Sequence, residues 1–188
     1  MPILSTRAGA SATGYGWGAL SGSTTSFESI SSAVGTGSSG TITLSSIPGT
    51  YKHLQLRIVV AASSGDCGIR VNGAAGTSYA RHVMRGSGSG TGSAFGVAST
   101  DVAANLFPGG ISTTPASAII DIMDYANAQK FKTFRIISAQ ENNTSGYVEV
   151  CSGLYISGSA ITSISVINVG ASWNTNTFVS LYGIKGAA

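Results

Sequence analysis

The stretch Tyr51–Ala62, YKHLQLRIVVAA, decides how the chain is read. Leu54, Leu56, Ile58 and Val60 fall on one side of an extended chain, and His53, Gln55 and Arg57 fall on the other. Successive side chains of a strand point to opposite faces, so this period of two describes a strand with one buried and one solvated face. The same alternation spreads outward in both directions. Before it stands TITLSSI (41–47); after it come CGIRVNGAAG (67–76), SYARHVMRG (78–86), ASAIIDIMDY (116–125), FKTFRIISAQ (131–140), YVEVCSGLYIS (147–157), ITSISVINVG (161–170) and FVSLYGIKG (178–186). About nine strands result, separated by clusters of Gly, Ser, Asn or Pro, with Asn72-Gly73 a strong turn signal.

Apolar spacing of the helical kind is not sustained anywhere, and only DYANAQKF near 125–131 suits a short helix, with Asp124 as its cap. Many short strands without helical crossovers predict an all-β fold, an antiparallel β-sandwich of jelly-roll-like type. Leu54, Leu56, Ile58, Ile120, Ile122, Val148, Val150, Ile164 and Val166 are its expected core. The sandwich domain is placed at 41–188, with 86–117 a long loop or insertion. Residues 1–40, rich in Gly and Ser, read as an extended N-terminal arm.

Composition narrows the function classes. Only 9% of the 188 residues are charged, against about a quarter in ordinary soluble domains. Hydroxyls, amides and backbone take their place, and such a surface is cheap to bury because few ions must be desolvated. That suits a subunit of an assembly. The net charge of +3 is spread over scattered basic residues, so no nucleic-acid partner is expected. No apolar run reaches membrane-spanning length, and no secretory leader is expected, since no charged region followed by an apolar one is found in the opening residues. Cys67 and Cys151 are expected as free thiols, since two distant cysteines make neither a disulfide framework nor a metal motif.

Candidate chemistry is sparse. GTGSSG (35–40) has three glycines, but a strand follows where a helix N-terminus would have to receive a phosphate. GSGSGTGS (86–93) lacks the lysine of a phosphate loop and reads as a flexible loop. His53 and His82 lie far apart and have no acidic or cysteine partner nearby in the sequence, and no pair of carboxylates is singled out. Neither catalytic residues, nor a metal site, nor a cofactor is expected. The acceptor patterns in ENNTSG (141–146) read as a turn. Trp173 stands among amides and hydroxyls in ASWNTNTF. With Asn174 and Asn176 it forms a candidate glycan contact, the ring stacking on a sugar and the amides bonding its hydroxyls. The alternative is a tryptophan packed at the end of the sandwich or on a neighbouring subunit.

The segments IPGTYKHLQLRI (47–58), IRVNGAAGTSYARHVMRGSGS (69–89), IIDIMDYANAQKFKTFR (119–135), SGYVEVCSGLYISGSAITSISV (145–166) and FVSLYGIKG (178–186) carry a resemblance. Together they resemble a domain of virion structural proteins of tailed bacteriophages, especially aquatic and cyanobacterial ones. The opening MPILSTRAGASATGYGWG is similar to the leaders of such proteins. The resemblance implies a virion protein, made in the host cytoplasm and displayed on the particle exterior as a head decoration or fibre-like appendage. It also implies capsid, neck or tail partners and a homotrimer. A carbohydrate-binding module that recognises a host surface glycan is the alternative.

In that setting the arm is expected to anchor the domain. Ile3, Leu4, Tyr15 and Trp17 are its apolar contacts, and Arg7 is its single charge. The glycines between them let the backbone follow a groove or add to a sheet edge.

Overall fold

The computed structural model describes residues 26–87, 89–99, 106–107, 112–142 and 146–186. They form eleven strands: β1 (Phe27–Val34), β2 (Thr41–Leu44), β3 (His53–Val60), β4 (Asp66–Val71), β5 (Tyr79–Ser87), β6 (Gly90–Ser99), β7 (Ala116–Met123), β8 (Lys132–Glu141), β9 (Gly146–Tyr155), β10 (Ile164–Val169) and β11 (Phe178–Ile184). Eight make one sheet in the order β1-β11-β3-β7-β8-β9-β5-β6; three make a second, β2-β10-β4. Every pairing is antiparallel. The protein is an antiparallel β-sandwich.

From β1 to β5 the chain alternates between the sheets, then builds β5 to β9 within the large one. One crossing begins at Asn72-Gly73, both left-handed (φ 53° and 65°), where Ala74 N–H donates to Val71 O at 2.9 Å. This is the primed turn that the Asn-Gly pair favours, yet it leads out of the sheet and not into a hairpin. The Asn72 side chain holds the facing loop, donating to Ala160 O (2.8 Å) and accepting from Thr162 N–H (2.8 Å).

Leu54, Leu56 and Ile58 of β3, Ile120 and Ile122 of β7, and Ile164 and Val166 of β10 are buried between the sheets, as their alternation predicts. Val148 and Val150 are the exception, at 52% and 46% exposed. Strand β9 buries Glu149, Cys151, Gly153 and Tyr155 instead. Leu56→Ala is expected to cost ~2–5 kcal/mol by leaving a cavity. Val150→Ala should change the stability of a single copy by less than about 0.5 kcal/mol. Urea unfolding of both variants measures the contrast.

Three expectations are corrected. Residues 27–34, assigned to the arm, form β1 and pair with β11, while Ile30 and Ala33 pack on the core. An edge strand needs few apolar residues, which is why a serine-rich segment can serve. The segment 86–117, read as a loop, contains β6, hydrogen-bonded to β5. It also contains Leu106 and Phe107, both fully buried. Leu106 N–H donates to Cys67 O (2.9 Å) and Ser138 Oγ donates to Leu106 O (2.8 Å). The pair thereby extends the cover over the large sheet beyond the edge of β4. Lastly, the described residues contain no helix. Asp124 sits in a turn at φ 49°, its carbonyl accepting from Asn127 N–H at 3.0 Å, and caps nothing.

Candidate functional site

The two outward surfaces of the sandwich differ in chemistry. On the small sheet Thr43 and Arg70 lie opposite Ser165 of the central strand β10, and Thr43 and Ser165 share a hydroxyl hydrogen bond of 2.9 Å. That face is polar. The large sheet turns apolar side chains outward.

Register assembles those side chains into two rows running across the strands. In one row Ile119 of β7 lies opposite Ile137 of β8, Ile137 opposite Val150 of β9, and Val150 opposite Met84 of β5. Their exposures are 46%, 58%, 46% and 66%. The adjacent row is Val34, Phe178, Val59, Ser117, Ala139, Val148 and Gly86, again in direct register. Val34, Phe178, Val59 and Val148 in it are exposed. On one flank the face is bounded by Asp121 and Arg135, on the other by Glu141. Gly86 floors an open hollow of about 730 Å³, walled by Met84, Thr91, Val148 and Val150. Half-exposed side chains in eight places present on the order of 700 Å² of contiguous apolar surface, more than the few hundred Å² that monomers usually show.

Beneath this face lie buried charges. Arg85 donates to Glu149 at 3.0 Å, with the carboxylate only 3% exposed. Burial raises the Glu149 carboxyl above its ordinary value and pushes the neighbouring Cys151 thiol up to about 11. Cys67 and Cys151 are both buried free thiols, and at that value Cys151 is a protonated, inert one. At the other end of β8, buried Lys132 donates to the carbonyls of Lys130 and Gly158. Desolvation lowers its pKa.

Asp124 gathers Lys52 (3.3 Å) and Lys130 around it, while its own N–H donates to His53 Nδ1 at 3.0 Å. The Lys130 hydrogen bond holds its carboxyl below the ordinary range. This constellation pins the β7–β8 turn to the start of β3. His82 is exposed on the outer face of β5, opposite Ser152 and four strands away across the sheet from β3. Among the described residues no three His, Cys, Asp or Glu side chains are grouped to hold a metal.

Trp173 is fully buried, so the glycan contact expected of it is corrected. Its indole N–H donates to Val166 O at 3.3 Å, and its backbone bridges Ala62. No ring face is left for a sugar. Asn174 N–H donates to Ala61 O and Asn174 O accepts from Thr177 N–H, so Asn174 belongs to the turn that seats the indole; Asn176 is exposed. Ile3, Leu4, Arg7, Tyr15 and Trp17 lie outside the described residues. The outward apolar rows are the feature that sequence reasoning missed. Ile119, Ile137 and Met84 each alternate with core residues, and only pairing shows that they line up.

No protein-family model matches the chain, and no curated protein matches its sequence.

Proposed function

We propose that the chain is a structural subunit of a bacteriophage virion, displayed on the particle exterior and attached through its N-terminal arm. The observation that carries this reading is the two-row apolar face of the large sheet, exposed in a single copy. Water contact with such a surface is unfavourable by about 25 cal/mol per Å², so a subunit bearing it gains by assembly. The outer face of the small sheet, with Thr43, Arg70 and Ser165 on it and fewer exposed apolar side chains than the large one, suits the solvent side. Low charge density and the resemblance to virion proteins supply the setting.

Quantitative mass spectrometry of purified particles tests the reading. Scores to hundreds of copies indicate a head decoration, a few to tens a fibre-like appendage, and absence from the particle sinks it. Deleting residues 2–20 should leave the melting temperature within a few degrees of the full chain and abolish incorporation. Tyr15→Ala with Trp17→Ala should reproduce most of the defect, because the glycines position the anchors and bury little themselves. A truncated chain loaded at full occupancy would show that the arm is not the anchor.

A further inference from the structure

We infer that the outer face of the eight-stranded sheet is a self-complementary contact that pairs two copies of this chain about a two-fold axis running across the strands. The inference rests on the assembly reading above and commits its apolar face to one occupant, a second copy.

The geometry follows from register. Ala118, Ser138, Glu149 and Arg85 lie in one cross-strand line on β7, β8, β9 and β5, all pointing inward. The two outward rows flank that line on either side. A two-fold axis laid over it, in the plane between two stacked sheets, carries each row of one copy onto the other row of its partner. Large then meets small across these strands. Ile119 comes over the partner's Ser117, and Ile137 over the partner's Ala139. Val150 and Val148 exchange places, and Met84 comes over the partner's Gly86, where a side chain would meet nothing within 4 Å. The hollow at Gly86 is thus the receptacle for the longest and most exposed knob.

Charge follows the same symmetry. On β8, Arg135 and Glu141 each lie three residues from Ser138 and both are exposed. The axis sets Arg135 of one copy against Glu141 of the other, twice per pair. Two sheets of identical twist also stack face to face without a mismatch of shape. On these four strands the exposed apolar area is on the order of 500 Å² per copy, the size of a modest interface; farther out the same axis sets Arg57, Ser180 and Ser32 over the partner's Val59, Phe178 and Val34. The trimer that the resemblance implies would need two different patches on each copy. This face fits itself.

Sedimentation equilibrium of the full chain across ~1–100 µM tests the pairing. A mass of twice 18.8 kDa is expected. Ile137→Glu should weaken the pair about 100-fold or more, since each copy would bury a carboxylate against the partner. Far-UV circular dichroism should stay unchanged, because Ile137 is exposed in a single copy. Gly86→Leu separates shape from general stickiness: added apolar surface would strengthen a non-specific contact, whereas a filled receptacle should weaken the pair at least 10-fold. Arg135→Glu should weaken it, and adding Glu141→Arg should restore it. A monomer throughout the range, a three-copy mass, a pair indifferent to Ile137→Glu, or one tightened by Gly86→Leu would each overturn the inference. Particle content is read separately. A chain monomeric in solution yet abundant in particles overturns the pairing and leaves the virion reading standing, while a pair absent from particles does the reverse.

Discussion

Trp173→Ala is expected to lower the free energy of unfolding by about 3–5 kcal/mol, the range for truncating a large buried aromatic. The indole is fully buried and ties three chain segments together at one end of the sandwich. Its ring N–H donates to Val166 O of β10. Its backbone N–H donates to Ser39 O (2.9 Å) and its carbonyl accepts from Gly37 N–H (2.8 Å), just before β2. Its strand-like pairing with Ala62 fastens the end of β3. Alanine keeps the backbone bonds, empties the ring volume and leaves Val166 O without that donor. Trp173→Phe should lose less, because most of the volume remains and only the hydrogen bond goes. Urea unfolding followed by far-UV circular dichroism measures both without relying on the removed fluorophore. A loss under about 1 kcal/mol for the alanine variant would mean that the end of the sandwich collapses onto the gap, or that the indole is not packed there.

Arg85→Met is expected to cost up to about 3–5 kcal/mol at neutral pH, because it removes the hydrogen-bonded cation from the buried Glu149 carboxylate and leaves it only the weaker field of Arg81. The signature is its pH dependence. Burial already raises the Glu149 carboxyl above the ordinary 4.5, so the folded chain holds that proton more tightly than the unfolded chain. Its contribution to stability is therefore fully present below about pH 4.5 and is lost as pH rises through the folded-state value. The Arg85 guanidinium opposes the upward shift; removing it extends the window upward. The deficit of Arg85→Met should therefore shrink as pH is lowered and Glu149 takes up its proton. Adding Glu149→Gln, which carries no charge at any pH, should recover much of the loss at neutral pH and flatten the dependence. A deficit that stays constant between pH 4.5 and 8 would show that the methionine acts through packing alone.

Strand character was legible from local pattern. Leu54, Leu56 and Ile58 alternate with His53, Gln55 and Arg57, and Ile164 and Val166 flank Ser165 on β10; both strands bury those side chains, although β10 then inverts the pattern by burying Asn168 and exposing Val169. Strand β1 and strand β6 were not legible. FESISSAV and GTGSAFGVAS contain few β-branched apolar residues, and an edge strand takes its stability from the ladder of one neighbour. The candidate sugar site failed for a related reason. Trp173 has polar neighbours in sequence, but its partners in space are Val166, seven residues back on β10, and Ala62, more than a hundred residues away.

Strand β9 shows where local reading stops. In Tyr147–Tyr155 the alternation is unmistakable, yet each face carries apolar residues: Val148 and Val150 on one, Cys151 and Tyr155 on the other. Hydrophobicity alone assigns the valines to the core. Tertiary pairing reverses that, because β9 is locked between β8 and β5 in a register that sets Glu149 beside Arg85 and Cys151 beside Ile136 and Val83. A one-residue slip of β9 against both neighbours would turn its own side chains over, setting Val148 and Val150 inward. The period of two is a property of one strand, dictated by the backbone, and so the order of residues along the chain suffices to reveal it. Which face is inside, and which side chains from four strands form one apolar row, is a property of the whole sheet, decided only when segments far apart in the chain, β1 and β11 among them, pair and pack.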